Sequence, residues 1–135
     1  SVLGEPQGKG RPRFRTQGKY VRTYTPAKTK SYEDEIRTMA NRAMGSSEPL
    51  ETPISVYLYI AYGVPASYPK KRSKDCFEGI ERPTKKPDID NIAKAFLDAM
   101  NGIVYLDDKQ VVDLHITKVY ETNPHVRVYI KEAIL

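Results

Sequence analysis

The sequence predicts an α+β fold, a small mixed sheet packed with two to three helices. Three observations predict it: apolar residues at helical spacing in two stretches, strict alternation over 54–62, and two further alternating runs near the carboxyl end. With 135 residues, no internal repeat and no composition break, the chain reads as one domain spanning 1–135.

The first 25 residues mix basic, Gly/Pro and aromatic residues and read as an irregular arm with short extended pieces. Thr25-Pro26 has the form of a helix start, a cap residue followed by proline at the first helical position. Glu33, Asp34 and Glu35 precede Arg37 and Arg42, the polarity that a helix dipole favours. Tyr32, Ile36, Met39, Ala40 and Ala43 fall at helical spacing and should face the core, and Gly45-Ser46-Ser47 should end the helix. Over 54–62, Ile54, Val56, Leu58, Ile60 and Tyr62 alternate with Ser55, Tyr57 and Tyr59, as in a half-buried strand. Residues 64–87 form a connection rich in Pro, Gly and Lys, with a short helix around Lys70–Phe77. A connection this long inside a compact domain is usually functional or mobile. A helix over 89–100 should bury Ile89, Ile92, Ala93, Phe96 and Met100. Two strands finish the chain, one with Val112, Leu114 and Ile116 on a face, the other with Val126, Val128 and Ile130. Glu121-Thr122-Asn123-Pro124 reads as a turn that pairs them as a hairpin.

No apolar run approaches the roughly 18 residues that span a bilayer, and no charged n-region leads an apolar stretch as in a signal peptide. Cys76 stands alone, which excludes an internal disulfide and a zinc-thiolate cluster. These features read as intracellular, and Ser1 in place of Met reads as processing or trimming. The net charge of +5 points weakly to a polyanionic partner. Its distribution says more. Lys9, Arg11, Arg13, Arg15, Lys19, Arg22, Lys28 and Lys30 face one acid, Glu5, within the first 30 residues. A second basic stretch holds Lys70, Lys71, Arg72, Lys74, Arg82, Lys85 and Lys86. Beyond it the acids Asp88, Asp90, Asp98, Asp107, Asp108 and Asp113 outnumber Lys94 and Lys109. Charge runs are commonly solvated faces. Basic flanks around a compact acidic centre are also what a metal-dependent nuclease needs, cations for phosphate and carboxylates for the ion.

Asp88 and Asp90 stand two apart where a Pro87-led loop turns into a helix, so both carboxylates can converge on one hard cation such as Mg²⁺. Helix capping explains one aspartate there equally well, but two less well. Asp107-Asp108 reads by itself as a surface turn, yet from a strand edge it can fold back to the helix start. Lys94, four residues after Asp90, is either an ordinary i,i+4 ion pair or a cation beside a scissile phosphate. Other motifs fail. Ile92 and Ala93 replace the ligand and glycine of an EF-hand, with Ala99 at the place of its glutamate. Gly8-Lys9-Gly10 lacks the spacing of a P-loop. His115 and His125 lack partners at ligand spacing, and Asp113 is either structural, the reading preferred, or a residue near the metal.

The runs Lys86-Pro-Asp-Ile-Asp-Asn-Ile-Ala-Lys94, Phe96-Leu-Asp-Ala-Met-Asn-Gly102 and Leu106-Asp-Asp-Lys-Gln-Val-Val-Asp113 strongly resemble the RusA family of Holliday junction resolvases. Gly4-Glu-Pro-Gln-Gly-Lys-Gly-Arg-Pro-Arg13 and Tyr24-Thr-Pro-Ala-Lys-Thr29 are similar to that family as well, so the likeness covers most of the chain. It implies a RusA-like nuclease fold, a homodimer acting on four-way DNA junctions, a requirement for Mg²⁺ (or Mn²⁺), and a bacterial or phage-encoded protein of the cytoplasm. Carried over residue by residue, Asp88 and Asp90 match the paired metal-binding aspartates, Asp108 the third, and Lys94 the catalytic lysine. Asp107 then caps the turn or supports the ligands from behind. Lys9, Arg11, Arg13, Lys70, Lys71, Arg72, Lys85 and Lys86 are the expected phosphate grip. Two other classes compete: a catalytically silent branched-DNA-binding module, and a metal-dependent phosphohydrolase of small substrates.

Overall fold

The central strand of the sheet, β4 (Ile54–Gly63), shows the predicted alternation, with Ile54, Val56, Leu58, Ile60 and Tyr62 all buried. The structure is a computed structural model that describes residues 1–9, 13–17, 20–24 and 27–133; for the second and third of these segments and for Lys28 it describes the backbone alone. The other elements, in chain order, are β1 (Val2–Leu3), β2 (Arg13–Gln17), β3 (Tyr20–Tyr24), α1 (Ala27–Met44), α2 (Lys70–Phe77), α3 (Ile89–Met100), β5 (Val111–Glu121) and β6 (His125–Glu132). A four-stranded sheet has the order β1-β6-β4-β5, and β2 and β3 form a separate antiparallel pair. β4 runs parallel to β5 and antiparallel to β6, so the sheet is mixed and the architecture is α+β, as expected. A parallel neighbour needs a crossover, which is supplied by residues 64–110 with α2 and α3.

The hairpin expected between the last two strands does not form. β5 and β6 lie on opposite sides of β4, and each pairs with it. Glu121–Pro124 does turn the chain, but the turn passes over the end of β4. Gly63, at that end of β4, lies beside the Pro124 ring. The alternation of both runs was legible; the choice of partner was a tertiary decision.

The core lies between one sheet face and the helices α1 and α3, with Tyr32 and Ile36 of α1 against Phe96, Ile92 and Met100 of α3. Tyr32 meets the edge of Phe96 at 5.8 Å between ring centroids. Two helix expectations need correction. Ala43 is exposed and Met44 packs in its stead, while Ile89 is 42% exposed because it opens α3 before the first turn reaches the sheet. Gly45 ends α1 with φ 55°, the left-handed conformation that favours glycine after a helix. Thr25-Pro26, read as the start of α1, lies outside the described residues, and α1 is described from Ala27. In β5 the register shift opposite Ile54/Ser55 skips Val112 and leaves it 59% exposed, while Leu114, opposite Val56, is 42% exposed on an edge strand; only Ile116 of the expected trio packs against the core. The arm is more regular than expected at its start, where Val2 pairs with Val126 and the Gly4 amide donates to the Pro124 carbonyl at 2.9 Å. No helix among the described residues is long and apolar enough to cross a membrane.

Candidate active site

α3 starts where a proline-led loop ends against the sheet. Asp88 occupies its N-cap with extended backbone (φ −69°, ψ 154°), and its carbonyl accepts from the Ile92 amide at 3.1 Å. Its side chain makes no capping hydrogen bond. Capping was the ordinary explanation for this residue, and the carboxylate is not spent on it. Asp90 follows in the first turn, exposed like Asp88, and neither carboxylate makes a hydrogen bond or a close ion pair among the described residues. Both sit where the helix dipole favours negative charge.

The second acidic pair divides its labour differently. Asp107 is the N-cap of a 3-10 turn, Asp108–Gln110. Its carboxylate accepts the Lys109 amide at 3.0 Å, and its own amide donates to Oε1 of Gln110 at 2.9 Å, a reciprocal capping box. The hydrogen bond from the Lys109 backbone, then the pairing with Asp108, hold Asp107 below the usual carboxylate range. Asp108 is pushed up, first by that pairing and then by burial, Asp107 and Asp98, with Lys94 opposing. One aspartate therefore serves the turn, and the other is left exposed toward the polar face of α3.

On that face Lys94 pairs with Asp98 at 3.7 Å rather than with Asp90. Oδ2 of Asp98 also accepts from Nζ of Lys9 at 2.9 Å, and Lys9 reaches Glu33 of α1 at 2.8 Å. The Glu33 side chain is only 7% exposed, and it also pairs with Arg37 at 3.2 Å. Burial opposes the charge on Lys9, but its bonds to Glu33 and Asp98 outweigh that and raise its pKa. Lys9 is also fixed through its backbone, whose amide donates to the Asn91 carbonyl at 3.0 Å. Gly8 permits this crossing, because a Cβ there would lie 2.9 Å from Cβ of Pro87 and 3.0 Å from Cβ of Asn91.

Among the described residues, no three acids, histidines or cysteines are gathered as a set able to hold a metal ion. The donor chemistry fits a hard divalent cation: Asp88, Asp90 and Asp108 offer exposed carboxylate oxygens, and Mg²⁺ takes few protein ligands and keeps several waters. The structure thus brings Asp90, Lys94 and Asp98 onto one helical face and sets Asp108 within electrostatic reach of the last two. Asp113 accepts from the Ser55 hydroxyl at 2.8 Å, in keeping with its structural reading.

The family model of Endodeoxyribonuclease RusA matches residues 4–131. The chain belongs to the RusA family. It is also 36% identical over 136 residues to the Uncharacterized protein YqaN of Bacillus subtilis (strain 168), covering 98% of this chain and 94% of that one. Membership of the RusA family places the chain among the endodeoxyribonucleases, as the motif likeness implied.

The cations expected to grip phosphate around this RusA site fall into different groups. Lys70, Lys71 and Lys86 are exposed and make no ion pair among the described residues. Arg72 is engaged, bonded to Glu81 at 3.0 Å and stacked 3.7 Å over the Tyr68 ring. Lys85 stands 5.4 Å over Tyr62. Lys9 is turned inward, to Glu33 and Asp98. Arg11 lies outside the described residues, and Arg13 is described by its backbone alone.

Sequence reasoning missed Lys118 of β5, whose amine donates to the carbonyls of Lys85 at 2.8 Å and Pro87 at 3.2 Å. Burial lowers its pKa against the opposing charge of Asp88. It missed Tyr62 as well, whose hydroxyl donates to the Pro87 carbonyl at 3.1 Å. Burial, then Glu5 and Asp88, push that hydroxyl up to about 12, so it keeps its proton. Neither residue had a local signal, since both sit in ordinary alternating strands.

Proposed function

We propose that this RusA-family chain is a Mg²⁺-dependent, structure-selective endonuclease that resolves four-way DNA junctions as a homodimer. Asp88, Asp90 and Asp108 hold the ion, and Mn²⁺ substitutes for it. The observation that carries this reading is the start of α3, where Asp88 holds the N-cap position without capping and Asp90 follows it with its carboxylate uncommitted. When bound, Mg²⁺ supplies charge against the phosphate and acidity to a water. Lys94, steadied by Asp98, offsets the negative charge that builds up on the scissile phosphate. Lys70, Lys71 and Lys86, with Arg11 and Arg13 of the arm, bind backbone phosphates without reading bases, which suits recognition of shape. Two nicks in opposing strands call for two sites related by a two-fold axis. Val112 and Leu114, exposed on the open edge of β5, are apolar surface of the kind a second subunit covers.

The exposed setting of Asp88, Asp90, Lys94 and Asp108 also argues against a phosphohydrolase of small substrates, whose sites are concave. The deciding experiment incubates a labelled four-way junction with the protein in Mg²⁺ or in EDTA. Paired cleavage in Mg²⁺ alone is the expected result. Tight binding with the junction intact under both conditions would make the protein a silent binding module. Hydrolysis of nucleotides but not of junctions would make it a small-substrate enzyme.

A further inference from the structure

The sheet holds the loop that delivers Asp88 and Asp90 by hydrogen bonds that meet on one carbonyl. The Pro87 carbonyl, immediately before Asp88, accepts the Tyr62 hydroxyl of β4 at 3.1 Å and the Lys118 amine of β5 at 3.2 Å. Lys118 reaches back to the Lys85 carbonyl as well, at 2.8 Å. Its amine stands 5.1 Å from the centre of the Tyr62 ring, and its own carbonyl accepts Nε of Arg82 at 3.0 Å. Register explains the convergence: Lys118 pairs with Ile60 and Tyr120 with Tyr62, so Lys118 and Tyr62 emerge on the same face of the sheet. A lysine on an outer strand would ordinarily extend into water. This one is half-buried and spends its donors on backbone carbonyls.

We propose that Lys118 is a positioning residue for the metal-ligand loop, fixing residues 85–88 on the sheet so that the Asp88 carboxylate stands where an ion can use it. The proposal rests on the metal-site reading above. Its chemistry makes a directional demand. If Lys118 acted only through its charge, removing it would leave Asp88 a stronger attractor, and Mg²⁺ would bind more tightly. If it acts by holding the loop, removing it lets Asp88 wander, and Mg²⁺ binds more weakly. Loss of a direct hydrogen-bond partner of a metal ligand typically weakens metal affinity by about tenfold or more, and Lys118 acts one residue away through the Pro87 carbonyl, which makes about tenfold the upper end of the expected loss.

The test titrates Mg²⁺ into the protein without DNA and follows the heat of binding at constant temperature, for the wild type, Lys118→Met and Tyr62→Phe. Methionine keeps the apolar stem, and phenylalanine removes the second bond to Pro87 without changing charge. The Mg²⁺ concentration at half-effect should rise in Lys118→Met, by up to about tenfold. It should rise in the same direction, by less, in Tyr62→Phe. General destabilisation would lower the thermal midpoint of the variants without moving that concentration. The same variants should need more Mg²⁺ to cleave a junction, yet bind it in EDTA much as the wild type does. A half-effect concentration that is unchanged or lower in Lys118→Met overturns the proposal, and Tyr62→Phe decides the matter if Lys118→Met does not fold. Weaker junction binding in EDTA with an unchanged half-effect concentration also overturns it, making Lys118 a phosphate contact. A wild type that shows no response to Mg²⁺ overturns the metal-site reading itself, and this proposal with it. A responding wild type whose variants respond at the same Mg²⁺ concentration removes only the role of Lys118.

Discussion

Asp88 and Asp107 both stand at the start of a helical turn, and the chain uses them in opposite ways. Asp107 closes a capping box with Gln110, whereas the Asp88 side chain caps nothing. A sequence shows only that an aspartate precedes a turn; which carboxylate is spent depends on where its oxygens point after folding. On the proposed reading, Asp90→Asn abolishes junction cleavage while junction binding in EDTA stays near wild type, as a gel-shift and cleavage assay run together would show. Cutting at the wild-type rate would remove Asp90 from the metal set. Lys9 gives a prediction with a definite sign. Its folded pKa is raised above the ordinary lysine value of 10.5, so the stabilisation from its bonds to Glu33 and Asp98 is fully present below that pH and fades as pH rises through the folded value. Lys9→Met should therefore be less stable than the wild type by a constant margin at neutral pH, and the margin should shrink only in strong alkali. Denaturant unfolding at a series of pH values measures it. Nothing in the sequence announced that Lys9 faces inward, because its partners lie on α1 and α3.

Helices and strands were legible as elements because each carries its own periodicity, and α2 and α3 appear with the expected bounds. What periodicity cannot express is which strand sits beside which. Glu121–Pro124 has every mark of a hairpin turn, but β4 offers both flanking strands a buried partner, and the turn steps across it. The exposure of Val112 has the same origin, a register shift that no alternating pattern records. The proposed site was legible as Asp88, Asp90, Lys94 and Asp108 standing in two short runs of the sequence, while Lys118 and Tyr62, which hold the loop before Asp88, and Glu33, which holds Lys9, were not. At the junction of the arm with α3, Gly8→Ala would push a methyl group to 2.9 Å from the rigid Pro87 ring. Forced overpacking of this kind costs about 1–3 kcal/mol, to be read as a lower denaturant midpoint. A midpoint equal to wild type would mean that the arm lifts off α3 without cost.

At the scale of the whole molecule, charge is divided between cations paired inward and cations left for a polyanion. Arg11→Ala with Arg13→Ala should weaken junction binding and flatten its dependence on salt, since each lost phosphate contact removes about one unit of slope. An unchanged slope would mean that the arm does not touch phosphate. Sedimentation should report a dimer, and Leu114→Lys on the β5 edge should shift it toward monomer; a wild-type monomer at working concentrations would remove the two-site arrangement. The order of the sheet bears on how the chain comes to be folded at all. Every ladder of the four-stranded sheet joins distant residues: Val56 with Leu114, Ile54 with Glu132, and Val2 with Val126. Contacts so far apart must meet the cost of loop closure before burial rewards it. During vectorial synthesis, β4 therefore emerges from the ribosome as an apolar strand with neither neighbour, and its second one, β6, is made only after β5. A truncation ending at Glu121 should remain unfolded, and the nascent protein is aggregation-prone until β6 has been made.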